Sequence, residues 1–378
     1  MSTSFLNSPP FVAPKITTIK SHNSKLSHRN FSPVNSLKPS TTPTSNSNSL
    51  QNLITTLPKL LWPNTLPPQL LISTVRTIWT STWLLMMSQL APSDPTGNYS
   101  RPTSQFRANI NQLSRHSLTT LHLYVGLPCP WAHRTLIVRA LKGLDEAIPV
   151  SIASPGIDGL WVFGGEMGGD DNANGCTTLK EVYKLRKDGY DGRSTVPMLW
   201  DVEKKEVVCN ESYDIIQLLN SGFNELAKNS GLDLEPSSLK GRIEEWNRVI
   251  YPYVNNGVYR CGFAQTQEAY DAAVSDLFGT LDMLDDHLEN SRYLCGDSLT
   301  IADVCFFTTL IRFDLVYNVM FKCTKKKIVE YTNLHAYMRD IYQILLDSLG
   351  KKVPARSEEI ECFELLHKSQ VNKKDNGI

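Results

Sequence analysis

The first 93 residues of this 378-residue chain contain no aspartate or glutamate, although Lys15, Lys20, Lys25, Arg29, Lys38, Lys59 and Arg76 fall among them. Other absences exclude whole classes. No two of the eight cysteines are separated by two residues and no Cys/His cluster has zinc spacing, which argues against a zinc module and against an internal dithiol pair. Neither charge sign dominates, with 38 basic and 38 acidic residues, so nucleic acid is not expected as the main partner. Glycine and proline, 21 each, are ordinary, and collagen-like or wholly disordered chains are excluded. No segment reaches twenty unbroken apolar residues. The most apolar stretch, Leu70 to Leu90, is broken by Arg76, Thr77, Thr80, Ser81, Thr82 and Gln89, too polar for an unsupported membrane span. Trp79, Trp83, Leu84 and Met87 stand at helical spacing there, predicting a helix packed on the body.

What is present divides the chain. Residues 1–50 are crowded with Ser, Thr, Asn and Pro, as in Lys38-Pro39-Ser40-Thr41-Thr42-Pro43. Basic, acid-free and Ser/Thr-rich composition predicts a disordered transit peptide over 1–70, cleaved between about Leu50 and Val75. Serine outnumbers arginine, which favours a plastid over a mitochondrion. Residues 71–118 then form an N-terminal extension. Without the seven early cations the remainder is mildly acidic, and its length suggests two domains.

Leu121-His122-Leu123-Tyr124-Val125 alternates as a strand. Gly126-Leu127-Pro128 breaks it, and from Pro130 onward Leu136, Ile137, Ala140 and Leu141 recur at helical spacing. Proline is favoured at the first helical position, which places Cys129 at the N-cap, before free N–H groups and the positive end of the helix dipole. A thiol there has its thiolate favoured, and the thiolate is the nucleophile. His133 and Arg134, one turn along, are placed to add positive potential. The residue three later is Ala132, so an external thiol must resolve any mixed disulfide. Further on, Glu211-Ser212 opens the helical pattern Tyr213–Leu219. Open N–H groups at Ser212 suit a carboxylate, and Glu211 suits an ammonium.

Cys129-Pro130-Trp131-Ala132 followed by His133-Arg134-Thr135 resembles the active-site signature of the glutathionyl-hydroquinone reductases, the xi class of the glutathione transferase superfamily. The resemblance runs from about Met86 to about Leu346. It implies a thioredoxin-like α/β domain over 119–223 and an all-helical acceptor-substrate domain over 224–378. It also implies a cis peptide at Val196-Pro197, with the Val196 main chain pairing with glutathione, and assigns Glu211, Ser212, Arg193 and Trp161 to the glutathione pocket. The family usually has Gly-Trp where this chain has Leu160-Trp161, and Gly164–Asp171 departs from the pattern. In the helical domain Thr300 and Asp303 predict a capping box. Asn256-Gly257 is a turn signal within a helical region. The resemblance places Tyr251, Tyr259 and Tyr317 in the acceptor pocket, where Tyr259 and Tyr317 serve as acids; Met320 stands where the family often has a polar residue.

The implied reaction reduces glutathionyl-hydroquinones through a Cys129–glutathione mixed disulfide. Glutathione is a co-substrate and no metal or bound cofactor is needed, and the resemblance implies a homodimer. A general deglutathionylase or dehydroascorbate reductase of omega type would use the same parts, and a non-catalytic binder of glutathione conjugates is a further alternative. An ordinary conjugating transferase is disfavoured, because cysteine forms mixed disulfides where serine or tyrosine only activates glutathione.

Overall fold

The structure is a computed structural model describing Ser73, Thr77 and residues 91–107, 119–156, 159–164 and 168–348. The expected transit segment lies outside these residues, as does the expected 70–90 helix apart from Ser73 and Thr77, both helical. The described residues from 91 to 348 belong to one compact unit.

Its first layer is a four-stranded sheet of order β2-β1-β5-β6, from β1 (Leu121–Val125), β2 (Val150–Ile152), β5 (Met198–Asp201) and β6 (Glu206–Cys209). β1 runs parallel to β2 and antiparallel to β5, and β5 antiparallel to β6. A short β3–β4 ribbon (Ser154–Pro155 and Trp161–Val162) stands beside it. This is the expected thioredoxin-like arrangement, with one difference in detail. The polar half of the β1 alternation is buried too, because helices and loops cover both faces. His122 and Tyr124 are therefore satisfied internally: His122 Nε2 lies 2.8 Å from Ser151 Oγ, and the Tyr124 hydroxyl donates to Asp171 at 2.7 Å. Burial pushes the His122 imidazole down to about 4.

Three helices accompany the sheet. α1 (Pro130–Leu141) and α3 (Ser212–Ser221) pack on each other, and α2 (Leu179–Lys184) begins with a Thr178–Glu181 capping box. Beyond them the chain is helical: α4 (Lys240–Ile250), α5 (Gly257–Phe263), α6 (Gln267–Leu288), α7 (Ile301–Arg312) and α8 (Thr332–Ser348). α7 is buried along nearly its whole length and also packs on α1. It starts at the expected Thr300–Asp303 box, where Asp303 accepts from the N–H groups of Thr300 and Leu294 and from the Tyr337 hydroxyl. The turn signal at Asn256-Gly257 falls where a single turn residue, Asn256, joins a π-helical segment, Tyr251–Asn255, to the first residue of α5, so that α4 is carried into α5. The side-chain amide of Asn255 is buried and holds this segment. It accepts from Arg134 at 2.7 Å and donates to the Cys305 carbonyl and to Thr309, so the widened turn is held from two neighbouring helices. Among the described residues no helix is long and apolar enough to cross a membrane.

Candidate active site

Cys129 is the N-cap of α1, with Pro130 at the first helical position as the sequence predicts. Its N–H bonds the Gly126 carbonyl at 3.0 Å, and its own carbonyl accepts from His133 N–H at 3.0 Å. The half-buried thiol donates to the Val196 carbonyl at 3.5 Å, next to a Val196-Pro197 peptide that is cis. Burial pushes this thiol up, the opposite of what the cap alone predicts. Pulling the other way are the N–H groups of Ala132 and Trp131 and the guanidiniums of Arg312 and Arg101.

The positive potential thus comes from residues the sequence did not single out. His133 is neutral, its imidazole pushed down to about 3 by burial and by Arg312, which approaches its Nδ1 at 3.0 Å. Arg134 turns to Asn255 and the Cys305 carbonyl, tying α1 to the helical layer. Of the other described cysteines, Cys261, Cys295, Cys305 and Cys323 are buried in that layer and Cys209 in β6, and none forms a disulfide.

A cavity of about 160 Å³ opens beside the thiol's partner and is lined by Val196, Pro197, Arg193, Glu211 and Ser212. Glu211, not Ser212, is the N-cap of α3; its carboxylate accepts from Tyr213 N–H at 3.3 Å and from Ser104 at 2.9 Å. Ser212 is the first helical residue, buried, with its hydroxyl 3.5 Å from Arg134. The cavity therefore offers a helix N-terminus, a carboxylate, a guanidinium and the Val196 main chain, whose carbonyl already takes the Cys129 thiol. Trp161 stands apart from this group. It lies on β4 with its ring against Gly126, where even a Cβ would fall 2.2 Å from the indole, so it packs on the Cys129 turn instead of the cavity wall.

On the other side of Trp131 the three tyrosines gather. Tyr251 is 45% exposed and 6.0 Å from Trp131 between ring centroids; Tyr259 is 6.3 Å from Trp131 and 5.9 Å from Tyr317. Tyr317 is buried on a second π-helical segment, Phe313–Tyr317, directly after α7. Burial pushes both phenols up, and a hydrogen bond between them raises Tyr317 and lowers Tyr259. Two phenols that stay protonated at neutral pH can donate. Met320 is 72% exposed, with Val319 at 70% beside it.

The part sequence reasoning missed is the extension. Residues 91–107 run as a strap from the helical layer to the sheet layer. Asp94 holds a tight turn by accepting from Thr96 and Asn98 N–H, and Gln265 N–H bonds the Gly97 carbonyl at 3.0 Å. Tyr99 packs on Phe263 and Tyr259. Arg101 lies 4.0 Å over the Trp131 ring, which also carries Arg134 at 4.4 Å. The Phe106 carbonyl accepts from Asn210 N–H at 3.0 Å and its N–H donates to the Asn210 side-chain Oδ1 at 3.2 Å, and Arg107 pairs with Asp214 through two nitrogens. Tyr99, Arg101 and Ser104 line the cavity. The Asp94-Pro95-Thr96-Gly97 turn signal was the available clue.

Comparison with known proteins places this arrangement. The family model "Glutathione S-transferase, N-terminal domain" matches residues 128–221, and "Glutathione S-transferase, C-terminal domain" matches 267–340. The glutathionyl-hydroquinone reductase PcpF of Sphingobium chlorophenolicum is 44% identical over 240 residues, covering 63% of this chain and 76% of that protein. The crystal structure of glutathione-S-transferase Xi from Phanerochaete chrysosporium is similar with a TM-score of 0.62 at 43% identity, covering 66% of this chain and 88% of that one. The glutathione-bound structure of YqjG, a glutathione transferase homolog from Escherichia coli K-12, gives 0.57 at 45% identity, covering 60% and 75%. The chain belongs to the xi class of the glutathione transferase superfamily, the family of the glutathionyl-hydroquinone reductases.

Proposed function

We propose that this protein reduces glutathionyl-hydroquinones to hydroquinones at the expense of glutathione. The observation that carries the reading is the Cys129 thiol on the Val196 carbonyl, between a cavity built for a charged peptide and a cluster of protonated phenols. The γ-glutamyl carboxylate goes to the α3 N-terminus at Ser212, its ammonium to Glu211, the glycine carboxylate to Arg193, and the cysteinyl main chain to Val196. Trp161 supports this pocket from behind the Cys129 turn.

In the first step the Cys129 thiolate attacks the sulfur of the conjugate. A sulfur–sulfur bond forms and the carbon–sulfur bond breaks; its electron pair stays on the ring carbon, which takes a proton from the Tyr259–Tyr317 pair. Tyr251 borders the ring from the open side. In the second step a glutathione thiolate attacks the mixed disulfide, releasing oxidised glutathione and the Cys129 thiolate. Over the cycle the ring carbon gains two electrons, one from the conjugate's thioether sulfur and one from the incoming glutathione sulfur. The proton that glutathione loses restores the phenol, Cys129 returns unchanged and one hydroquinone is freed.

PcpF, named for this activity, supports the reading, as does glutathione bound to the YqjG homolog. The test supplies a glutathionyl-hydroquinone and glutathione and follows free hydroquinone and oxidised glutathione. Turnover in the native protein and none in Cys129→Ala is expected; turnover that survives in Cys129→Ala refutes the mechanism. A general deglutathionylase would instead prefer simple glutathione mixed disulfides. The proposal includes a division between glutathione-binding and acceptor domains at 223/224, import into plastids on residues 1–70, and a homodimer. Import assays with and without that segment, and light scattering, test the last two.

A further inference from the structure

Arg312 carries a charge that no anion among the described residues neutralises. It ends α7, is 4% exposed, and gives its hydrogen bonds to uncharged acceptors alone. Nη1 reaches the Thr308 carbonyl at 3.0 Å and His133 Nδ1 at 3.0 Å, and Nη2 reaches the Leu127 carbonyl at 3.1 Å. The nearest acid in sequence, Asp314, is occupied with the N–H groups of Ile328 and Val329. Taking a guanidinium out of water without a counter-ion is costly. His133 brings no negative charge: a guanidinium only donates, so the imidazole Nδ1 accepts as a neutral lone pair.

These bonds hold the Cys129 turn from both sides. Leu127 stands two residues before the cysteine. His133 stands four after it and closes the first helical turn on the Cys129 carbonyl. The titratable and charged groups facing the thiol are Arg312 from α7, Arg101 from the strap, Tyr259 from α5, Tyr317 from the π segment and His133 on its own helix. The phenols and the imidazole are neutral at neutral pH, and Arg101 is only half-buried, where solvent screens it. Arg312 is the one buried permanent charge in this set.

We propose that Arg312 is a positioning residue for the reaction: it fixes the turn that presents Cys129 and supplies the buried positive charge that the thiolate neutralises. The inference rests on the reading of Cys129 as the nucleophile. It also explains why α7 must run unbroken to its last residue. The segment that follows at once carries Tyr317, so one guanidinium sets the nucleophile and the acceptor acid in register across the two layers.

The experiment reads the thiol without any quinol. Alkylation of Cys129 by iodoacetamide, followed by mass spectrometry, and thiolate absorbance at about 240 nm are measured against pH in the native protein, Arg312→Gln and Arg312→Lys. Gln keeps two donors and removes the charge; Lys keeps the charge. Expected in Arg312→Gln is alkylation at least about tenfold slower at pH 7, with the titration midpoint about one unit or more higher. Arg312→Lys should stay within about threefold of native. An unchanged profile in Arg312→Gln overturns the proposal. Should that variant fail to fold by circular dichroism, the native protein decides. Its Arg312 Nε–H resonance should shift at the midpoint of the thiolate absorbance step and stay still in Cys129→Ser; no shift overturns the proposal. A native protein that shows the Arg312-dependent profile but turns over no glutathionyl-hydroquinone refutes the substrate reading alone, and the converse result refutes the Arg312 role alone.

Discussion

Tyr259 and Tyr317 differ by which of them gives the shared hydrogen bond, and their removal should differ accordingly. Tyr317→Phe leaves Tyr259 without its donor; Tyr259→Phe removes the phenol nearer Trp131. Each should lower kcat by about 100-fold, the usual size of a lost general acid, with a smaller change in glutathione KM. Steady-state kinetics with varied glutathionyl-hydroquinone check this; a loss confined to KM would make the phenols binding groups instead. The thiol has its own signature. Because burial raises Cys129 and the reactive species is the thiolate, kcat/KM should rise with pH until that thiol has titrated. His133 was read from the sequence as a cationic neighbour, a reading that ignored where its ring would be buried. Only the fold brings Arg312, 179 residues away in sequence, onto its Nδ1.

The strap 91–107 is held at its start by a glycine. Gly97 has φ of +87°, and a Cβ there would meet the Thr266 side chain at 2.7 Å, so Gly97→Ala is disfavoured by conformation and by contact. A local loss of about 1–3 kcal/mol is expected, read as faster amide exchange and earlier proteolysis across 91–107 with α7 unchanged. If exchange accelerates throughout the helical layer as well, the strap is not an independently held element. The sheet layer carries a second prediction. His122 titrates near 4 when folded against about 6.5 when unfolded. The unfolded chain therefore binds more protons between these values, and stability is present above 6.5 and lost as pH falls through 4. His122→Gln keeps a polar partner for Ser151 but does not titrate, so denaturant unfolding should lose part of its pH dependence across this window. Strand β1, helix α1 and the α7 cap were legible in the sequence because each is decided by neighbours within a few residues. The π segment at Tyr251–Asn255 was not, since the groups that hold Asn255 belong to α1 and α7.

Across the whole unit, Asp303 joins the most separated pieces: it caps α7, accepts from Leu294 N–H before that helix and receives the Tyr337 hydroxyl of α8. Asp303→Ala deprives these three donors and the Thr300 hydroxyl of their buried acceptor, and a global loss of about 3–5 kcal/mol is expected. Equilibrium urea unfolding should show the midpoint fall with both layers unfolding together, because Arg134 and Arg312 bind α1 to the helical layer. A loss below about 1 kcal/mol would mean that water replaces the carboxylate.

Cys129 at a helix cap, the helix itself and the Glu-Ser helix start could be read from the chain because each depends on adjacent residues. The cis Val196-Pro197 edge came only from the family resemblance, the residues alone allowing an ordinary trans turn. Charge, burial and partnership could not be read from the chain. They depend on which side chains meet across hundreds of residues, and that meeting turned His133 neutral, set Arg312 beside the cysteine turn, paired Tyr259 with Tyr317, and drew the extension over the cavity.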